Sequence, residues 1–358
     1  MAPYVKQWDE EDHTPLELFT KMGELGIMGI SVPEEYGGAG LGFIERAIVV
    51  EEIARHAAGL ALGVESHLVI AYILNIYGTE EQKKKYLPDI ASGNKICSIS
   101  VTEPSGGSDM MGLKSTGEKK DGKWVLNGRK CFITNSLIAD LDLWLVRTGT
   151  DEKNRPLLSM FIIEKETPGH KAGRKEDKFG LRGVPTGDIL CENVVLDDSQ
   201  LIGKEGSGAK IAMDAFSTAG RSGMSAICVG LLRACYEEAV KFAKERMLYG
   251  KPLAKIQAIQ NLIAENRVDY ETAKLLTYSA TALTDEGKPN GVEITMAKYY
   301  TAETAARAAK RTMDLMGGYG VINEYPVSRY LRDALTSIPA GATSMIMQVV
   351  IAGDSLKG

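Results

Sequence analysis

The sequence holds little with which to build a metal centre or a disulfide framework. Its 358 residues include five cysteines and four histidines. Cys97, Cys131, Cys191, Cys228 and Cys235 are widely spaced with no C-x-x-C pair, an odd set that fits reduced thiols in a cytosolic enzyme. His13, His56, His67 and His170 form no H-x-x-x-H or comparable cluster, so no metal site is expected. Excess basic charge is missing as well. A net charge of -5 argues against a nucleic-acid-binding surface, and Lys83-Lys84-Lys85, beside Glu80 and Glu81, reads as a solvated helix face. No apolar run approaches the roughly 20 residues that cross a bilayer, and no signal peptide precedes the first charged segment. The expectation is a cytoplasmic protein with neither a membrane nor a nucleic-acid partner.

What is present falls into three textures, and the expected fold class is α+β. Over residues 1–95 apolar residues recur at helical spacing, with a stripe of Leu18, Met22 and Leu25 beside Phe19 and another over Ile44 to Ala54. The glycine-rich stretch from Val32 to Gly40 interrupts this pattern as a loop. Over 96–204 the period falls to two. Ser98–Val101, Trp124–Leu126, Leu143–Val146 and Met160–Ile163 read as short strands, punctuated by turns at Lys120-Asp121-Gly122 and Leu126-Asn127-Gly128. Over 205–358 long helical segments return at Ile211–Arg246, Ile256–Leu283 and Val292–Met316, with a turn at Gly287–Gly291. The order is an N-terminal helical domain, a small central β domain and a C-terminal four-helix bundle.

Several motifs narrow this layout. Val101-Thr102-Glu103-Pro104-Ser105-Gly106-Gly107-Ser108-Asp109 resembles the V-T-E-P-x-x-G-S-D signature of the acyl-CoA dehydrogenase family, and Phe132-Ile133-Thr134-Asn135 resembles its aromatic-I-T-N segment. Arg246-Met247-Leu248-Tyr249-Gly250-Lys251, with Gln257 following, resembles its R-x-x-F-G-K block. Met316-Gly317-Gly318-Tyr319-Gly320 and Glu324-Tyr325-Pro326 through Arg332-Asp333 resemble two late blocks of the same family. Five fragments in family order span nearly the whole chain.

The resemblance implies an FAD cofactor, an acyl-CoA substrate, electron-transfer flavoprotein as acceptor and a homotetramer. It places Ile99, Val101, Thr102 and Thr134 around the flavin ring, and Ser108 near phosphate and substrate. Phe132 stands where the family usually has tryptophan, keeping the π face without the indole donor. Arg246, Tyr249, Gln257, Gly317, Gly318 and Thr343 are carried over as further FAD contacts, the arginine reaching a neighbouring subunit. Asp314 and Met345 lie where the family often has glutamines, so some dinucleotide contacts are expected to differ. Family members generally carry another helix upstream of Trp8-Asp9-Glu10.

The family's catalytic carboxylate is expected at a position that here is Gly341, preceded by Ala340 and followed by Ala342-Thr343-Ser344. An alternative family position, just before the arginine matching Arg221, is Gly220. Neither glycine is a base. Ala340, Gly341 and Arg221 are retained as substrate contacts. In Gly63-Val64-Glu65-Ser66-His67, Glu65 is the favoured relocated base, in a helix whose family counterpart faces the far end of the acyl cavity, with its pKa raised by apolar surroundings. From there a carboxylate reaches a γ carbon of an α,β-unsaturated substrate, whose proton conjugation acidifies. The expected product of 1,4-elimination is a conjugated dienoyl-CoA, as in the cyclohex-1-ene-1-carboxyl-CoA dehydrogenase type. A pocket-floor role for Glu65, a base role for His67, a flavin monooxygenase and an inactive binder remain open alternatives.

Overall fold

The computed structural model describes residues 2–357. Two short helices, α1 (Val5–Glu11) and α2 (Leu16–Glu24), open the chain. From α2, Phe19 and Met22 enter the core and Leu18 is half-buried. Leu25 leaves the expected stripe and is exposed, because α2 stops at Glu24 and the chain turns there. The Val32–Gly40 loop then leads into α3 (Phe43–Tyr77), whose first turn is closed by Glu45 accepting from the Gly42 backbone N–H at 3.0 Å. The capped α4 (Glu80–Ala91) follows.

α3 corrects one expectation. By length and hydropathy it is apolar enough to cross a membrane, and 83% of its most apolar window is buried inside the protein. Scattered polar residues such as Glu51, Arg55 and Glu65 hide this run from a reading that looks for unbroken apolar sequence. The helix is kinked at Ala57, where φ and ψ are −143° and 78°. That kink changes which residues share a face across it.

The central domain is one eight-stranded sheet built from β1 (Cys97–Ser100), β2 (Thr116–Lys120), β3 (Lys123–Thr134), β4 (Leu141–Thr150), β5 (Pro156–Glu164), β6 (His170–Lys175), β7 (Thr186–Leu196) and β8 (Leu201–Ile202). The order is β6-β7-β3-β2-β4-β5-β8, with β1 pairing parallel to β4. Asp121-Gly122 forms the expected two-residue hairpin, both residues having positive φ as a type I′ turn requires. Leu126-Asn127-Gly128 is not a turn. β3 passes through it as a bulge, with a register shift against β7 and Asn127 Oδ1 accepting from Asn193 N at 2.8 Å. Trp124, Leu126, Trp144, Phe161 and Ile189 fill this domain's own core.

The first long C-terminal segment is not one helix. α5 (Gly208–Ala215) runs into a π-turn over Phe216–Gly220 before α6 (Arg221–Glu245) begins. A small hairpin of β9 (Met247–Leu248) and β10 (Lys251–Pro252) precedes α7 (Gln257–Asp285) and α8 (Gly291–Met316). α9 (Val327–Ser337) crosses α6 and α8, completing the bundle, and α10 (Ser344–Ser355) lies on α8. The main core is continuous between the two helical ends of the chain, joining Phe19, Met28 and Leu60 to Ile227, Leu232 and Ala305.

Candidate active site

The predicted chemical residues converge on the N-terminal turn of α6. Gly223 there faces α3 so closely that a Cβ would lie 1.9 Å from the Glu65 carboxyl carbon. The Glu65 side chain therefore occupies space that only glycine leaves open. Glu65 is 2% exposed and ion-paired to Arg46, which stands earlier on α3: Arg46 Nε donates to Oε2 at 3.2 Å and Nη2 donates to Oε1. Burial pushes the Glu65 carboxyl up, and the adjacent guanidinium pulls against that rise. The expected isolated, desolvated acid is thus half of a buried pair, an amendment that sequence pattern did not supply. Arg46 Nη1 is buried with no partner among the described residues, and the guanidinium stacks 5.5 Å from the Phe43 ring centre.

Met224, the next residue of α6, points to the loop between α9 and α10. A Cβ on Gly341 would sit 3.3 Å from Met224 Cγ. Gly341 has φ of +70°, a left-handed conformation that glycine adopts without strain. Its loop is held by Lys298 of α8, whose Nζ donates to the carbonyls of Ile338 at 2.6 Å and Ala342 at 2.8 Å. Arg221, the first residue of α6, is buried and donates from Nη1 to Thr295 Oγ1 of α8 at 3.1 Å. Expected as a substrate contact, Arg221 engages a hydroxyl and no carboxylate among the described residues. Ala340 is half-buried beside the main core. Glu65 and Gly341 therefore meet α6 on successive residues, whose side chains diverge by about 100° around a helix.

His67 takes no part in this cluster. Two residues from Glu65, it points to the other side of α3, and its buried Nε2 lies between the carbonyl oxygens of Met28 at 3.2 Å and Ile90 at 3.1 Å. Burial pushes its pKa down to about 4, so it stays neutral and pins α3 to α4 and the preceding loop.

A second group of predicted residues lies at the edge of the sheet. Ile99 and Val101 join an apolar cluster with Phe43 and Tyr72 of α3 and Phe216 of the π-turn, linking β1 to the Glu65 neighbourhood. Val101 and Glu103 are fixed by Lys130 of β3, whose buried Nζ donates to Val101 O at 3.1 Å and Glu103 Oε1 at 2.8 Å. Thr102 and Thr134 are half-buried and Ser108 is exposed. Phe132 is 64% exposed and has φ of +59°, unusual for a bulky residue, so the backbone turns a large apolar ring outward.

The remaining predicted positions are spread along the C-terminal domain. Arg246 and Tyr249 are exposed, the guanidinium 5.0 Å from the Tyr319 ring centre. Gln257, Gly317 and Gly318 are exposed too. Thr343 caps α10, its hydroxyl accepting from Ile346 N at 3.4 Å. Asp314 is paired to Lys310 at 2.6 Å, and Met345 is exposed.

Three family profiles match in order: the acyl-CoA dehydrogenase N-terminal domain over residues 1–94, the middle domain over 98–194 and the C-terminal domain over 206–354. The chain belongs to the acyl-CoA dehydrogenase family. An acyl-CoA dehydrogenase of Bacillus subtilis (strain 168) is 39% identical over 359 residues, covering 100% of this chain and 94% of that protein. The solved butyryl-CoA dehydrogenase from Megasphaera elsdenii superposes with a TM-score of 0.96 at 34% identity, covering 99% of this chain and 94% of the other. The FAD complex of PigA does so with a TM-score of 0.93 at 29% identity, covering 100% and 94%.

This acyl-CoA dehydrogenase is an FAD-dependent oxidoreductase acting on CH–CH groups of acyl-CoA thioesters. The residues fit the cofactor: an outward-turned Phe132 ring offers a stacking face, and Lys130 fixes the adjoining Val101-Thr102-Glu103 backbone. Bound there, FAD supplies a two-electron acceptor for a hydride leaving the acyl chain.

Sequence reasoning missed Arg46, Gly223 and Lys298. Signals for two of them existed. Arg46 shares a helical face with Val50 and Ile53, and Lys298 lies among Ile294, Ala297 and Ala302, so each is a charge on an apolar stripe. Gly223 carried no such signal, since close approach of a distant side chain is a tertiary fact.

Proposed function

We propose that this chain oxidises an already unsaturated, cyclic acyl-CoA thioester by 1,4-elimination, with Glu65 rather than residue 341 receiving the proton. The observation that carries this reading is the pairing at α6: residue 341 offers no side chain, whereas residue 223 is a glycine that admits a buried carboxylate. A carboxylate must be ionised to act as a base, and burial alone would keep it neutral. Arg46 opposes that effect while occupying two of the roughly four lone-pair sites a carboxylate presents. In the reaction the γ C–H proton passes to Glu65, the freed electron pair forms a β,γ double bond, the α,β π pair shifts to the bond between the α carbon and its other ring neighbour, and a hydride departs from that neighbour. The product is a conjugated dienoyl thioester of the type expected for cyclohex-1-ene-1-carboxyl-CoA dehydrogenation.

The same reading takes the protein as a cytoplasmic homotetramer that passes electrons to electron-transfer flavoprotein. Exposed Arg246, Tyr249 and Met345 support an assembly in which these side chains are covered by another copy. Five buried, unpaired cysteines are compatible with a reducing compartment.

The test is anaerobic flavin bleaching by cyclohex-1-ene-1-carboxyl-CoA in the FAD-loaded protein and in Glu65→Gln. The expected result is retention of FAD with at least a hundredfold slower bleaching, the scale of a lost general base. Bleaching by Glu65→Gln at the parent rate ends the proposal. The two-pronged Arg46 contact favours a second reading, in which Glu65 only neutralises Arg46 and the chain binds thioester without oxidising it. Absence of bleaching in the parent by any acyl-CoA, saturated or cyclic, selects that reading.

A further inference from the structure

The start of α6 buries positive charge without a counter-charge. Arg221 is 7% exposed, and the one protein hydrogen bond of its guanidinium among the described residues runs from Nη1 to Thr295. Nε is buried without a partner among the described residues, which leave the Nε–Nη2 edge of the guanidinium unengaged. One turn along α8 from Thr295, Lys298 is fully buried and spends its donors on two backbone carbonyls that carry no formal charge. The other titratable groups facing Lys298 are Cys228, which is buried, and Glu303, whose carboxylate accepts from Ser344 Oγ at 2.5 Å. For Arg221 burial is opposed by no nearby carboxylate.

Buried ionised groups are normally paired, because desolvation otherwise outweighs what holds them. Lysine can relieve the penalty by releasing a proton, and arginine cannot. An anion on the free edge would relieve the penalty for Arg221. The vacant edge presents two parallel N–H groups, Nε and Nη2, in the fork geometry that matches the two oxygens of a carboxylate. The neighbouring Gly341 lacks a side chain that would fill the space, with only Met224 near its Cβ position.

We propose that Arg221, backed by Lys298 and the Gly341 loop, forms a carboxylate-binding site whose anion is brought by a ligand rather than by the protein. Two sources share this chemistry: a free small carboxylic acid, and a carboxylate carried on the acyl group of a thioester. The inference does not depend on the role of Glu65, and its test is a binding measurement that needs no turnover.

The FAD-loaded protein is titrated calorimetrically at constant ionic strength with sodium acetate against sodium chloride, and separately with adipoyl-CoA against hexanoyl-CoA. If a free acid is the ligand, acetate binds saturably where chloride does not. If the substrate carries it, adipoyl-CoA binds at least tenfold more tightly than hexanoyl-CoA. In either case Arg221→Gln removes the difference, and Thr295→Val, which leaves the arginine but frees its Nη1, weakens it severalfold. Equal binding within both ligand pairs by the parent protein overturns the proposal, and that comparison stands even if Arg221→Gln does not fold. A difference that survives unchanged in a folded Arg221→Gln overturns it too.

Discussion

A methyl group on residue 223 is the smallest change that tests the core of the site. In Gly223→Ala the new Cβ would meet the Glu65 carboxyl carbon at 1.9 Å and its oxygens at 2.0 and 2.4 Å, so the carboxylate must leave its place against Arg46. Overpacking of this kind costs about 1–3 kcal/mol. The expected outcome is a lower melting temperature together with slower flavin bleaching, read by calorimetry and anaerobic stopped flow. At residue 341 the obstacle is backbone rather than space. Gly341→Glu places an L side chain at φ of +70°, costing about 1 kcal/mol, so the variant folds with a reduced melting temperature. Bleaching of that variant by a saturated acyl-CoA checks whether a carboxylate at 341 takes the α proton. Much at this scale was legible: Glu65 stands out as an acid in an apolar helix. Its pairing with Arg46 was not, because the Ala57 kink lies between them and helical periodicity cannot be counted across it.

Among the elements, β3 carries the most consequence per residue. Its Lys130 is fully buried beneath the loop that holds Val101, Thr102 and Glu103. Burial alone would raise the Glu103 carboxyl, but Lys130 together with the backbone N–H groups of Lys114 and Ser115 holds it down at about 2. Lys130→Met leaves that carboxylate buried without its ammonium, and breaking such a pair costs about 3–5 kcal/mol. The expected outcome is a protein that loses FAD on gel filtration and melts well below the parent, even though Lys130 is not itself assigned to the cofactor. Strand positions and the Asp121-Gly122 hairpin followed from period-two pattern and turn chemistry. The β3 bulge did not, because Asn-Gly reads equally as a turn until a neighbouring strand pairs through it. The π-turn at Phe216–Gly220 was invisible for a related reason: it breaks the hydrogen-bond ladder without breaking the apolar pattern that runs from Ile211 onward.

For the whole molecule, two buried groups set opposing responses to acid. His67 has a folded pKa of about 4 against 6.5 for an ordinary histidine, so its contribution to stability is present above 6.5 and is lost as pH falls toward 4. Asp333 of α9 is pushed the other way, chiefly by burial, to about 6 from 3.8, although its Oδ1 accepts from Leu181 N at 2.6 Å. Its contribution is present below 3.8 and is lost as pH rises through 6. Asp333→Asn keeps the acceptor and removes the titration. That variant is expected to be more stable than the parent at pH 7 and to lose stability more steeply between pH 6 and 4, as thermal melts across that range will show. The layout of helices, sheet and helices was readable from texture alone, whereas these pH couplings depend on burial that only the assembled core creates.

Because Phe19, Met28 and Leu60 from the beginning of the chain interlock with Ile227, Leu232 and Ala305 from its end, neither helical end has a complete interior of its own. Severing the peptide between α4 and β1 would leave each piece exposing a greasy, half-built surface. The two helical ends are therefore expected to melt in a single calorimetric transition, and limited proteolysis should yield no stable fragment of either one alone.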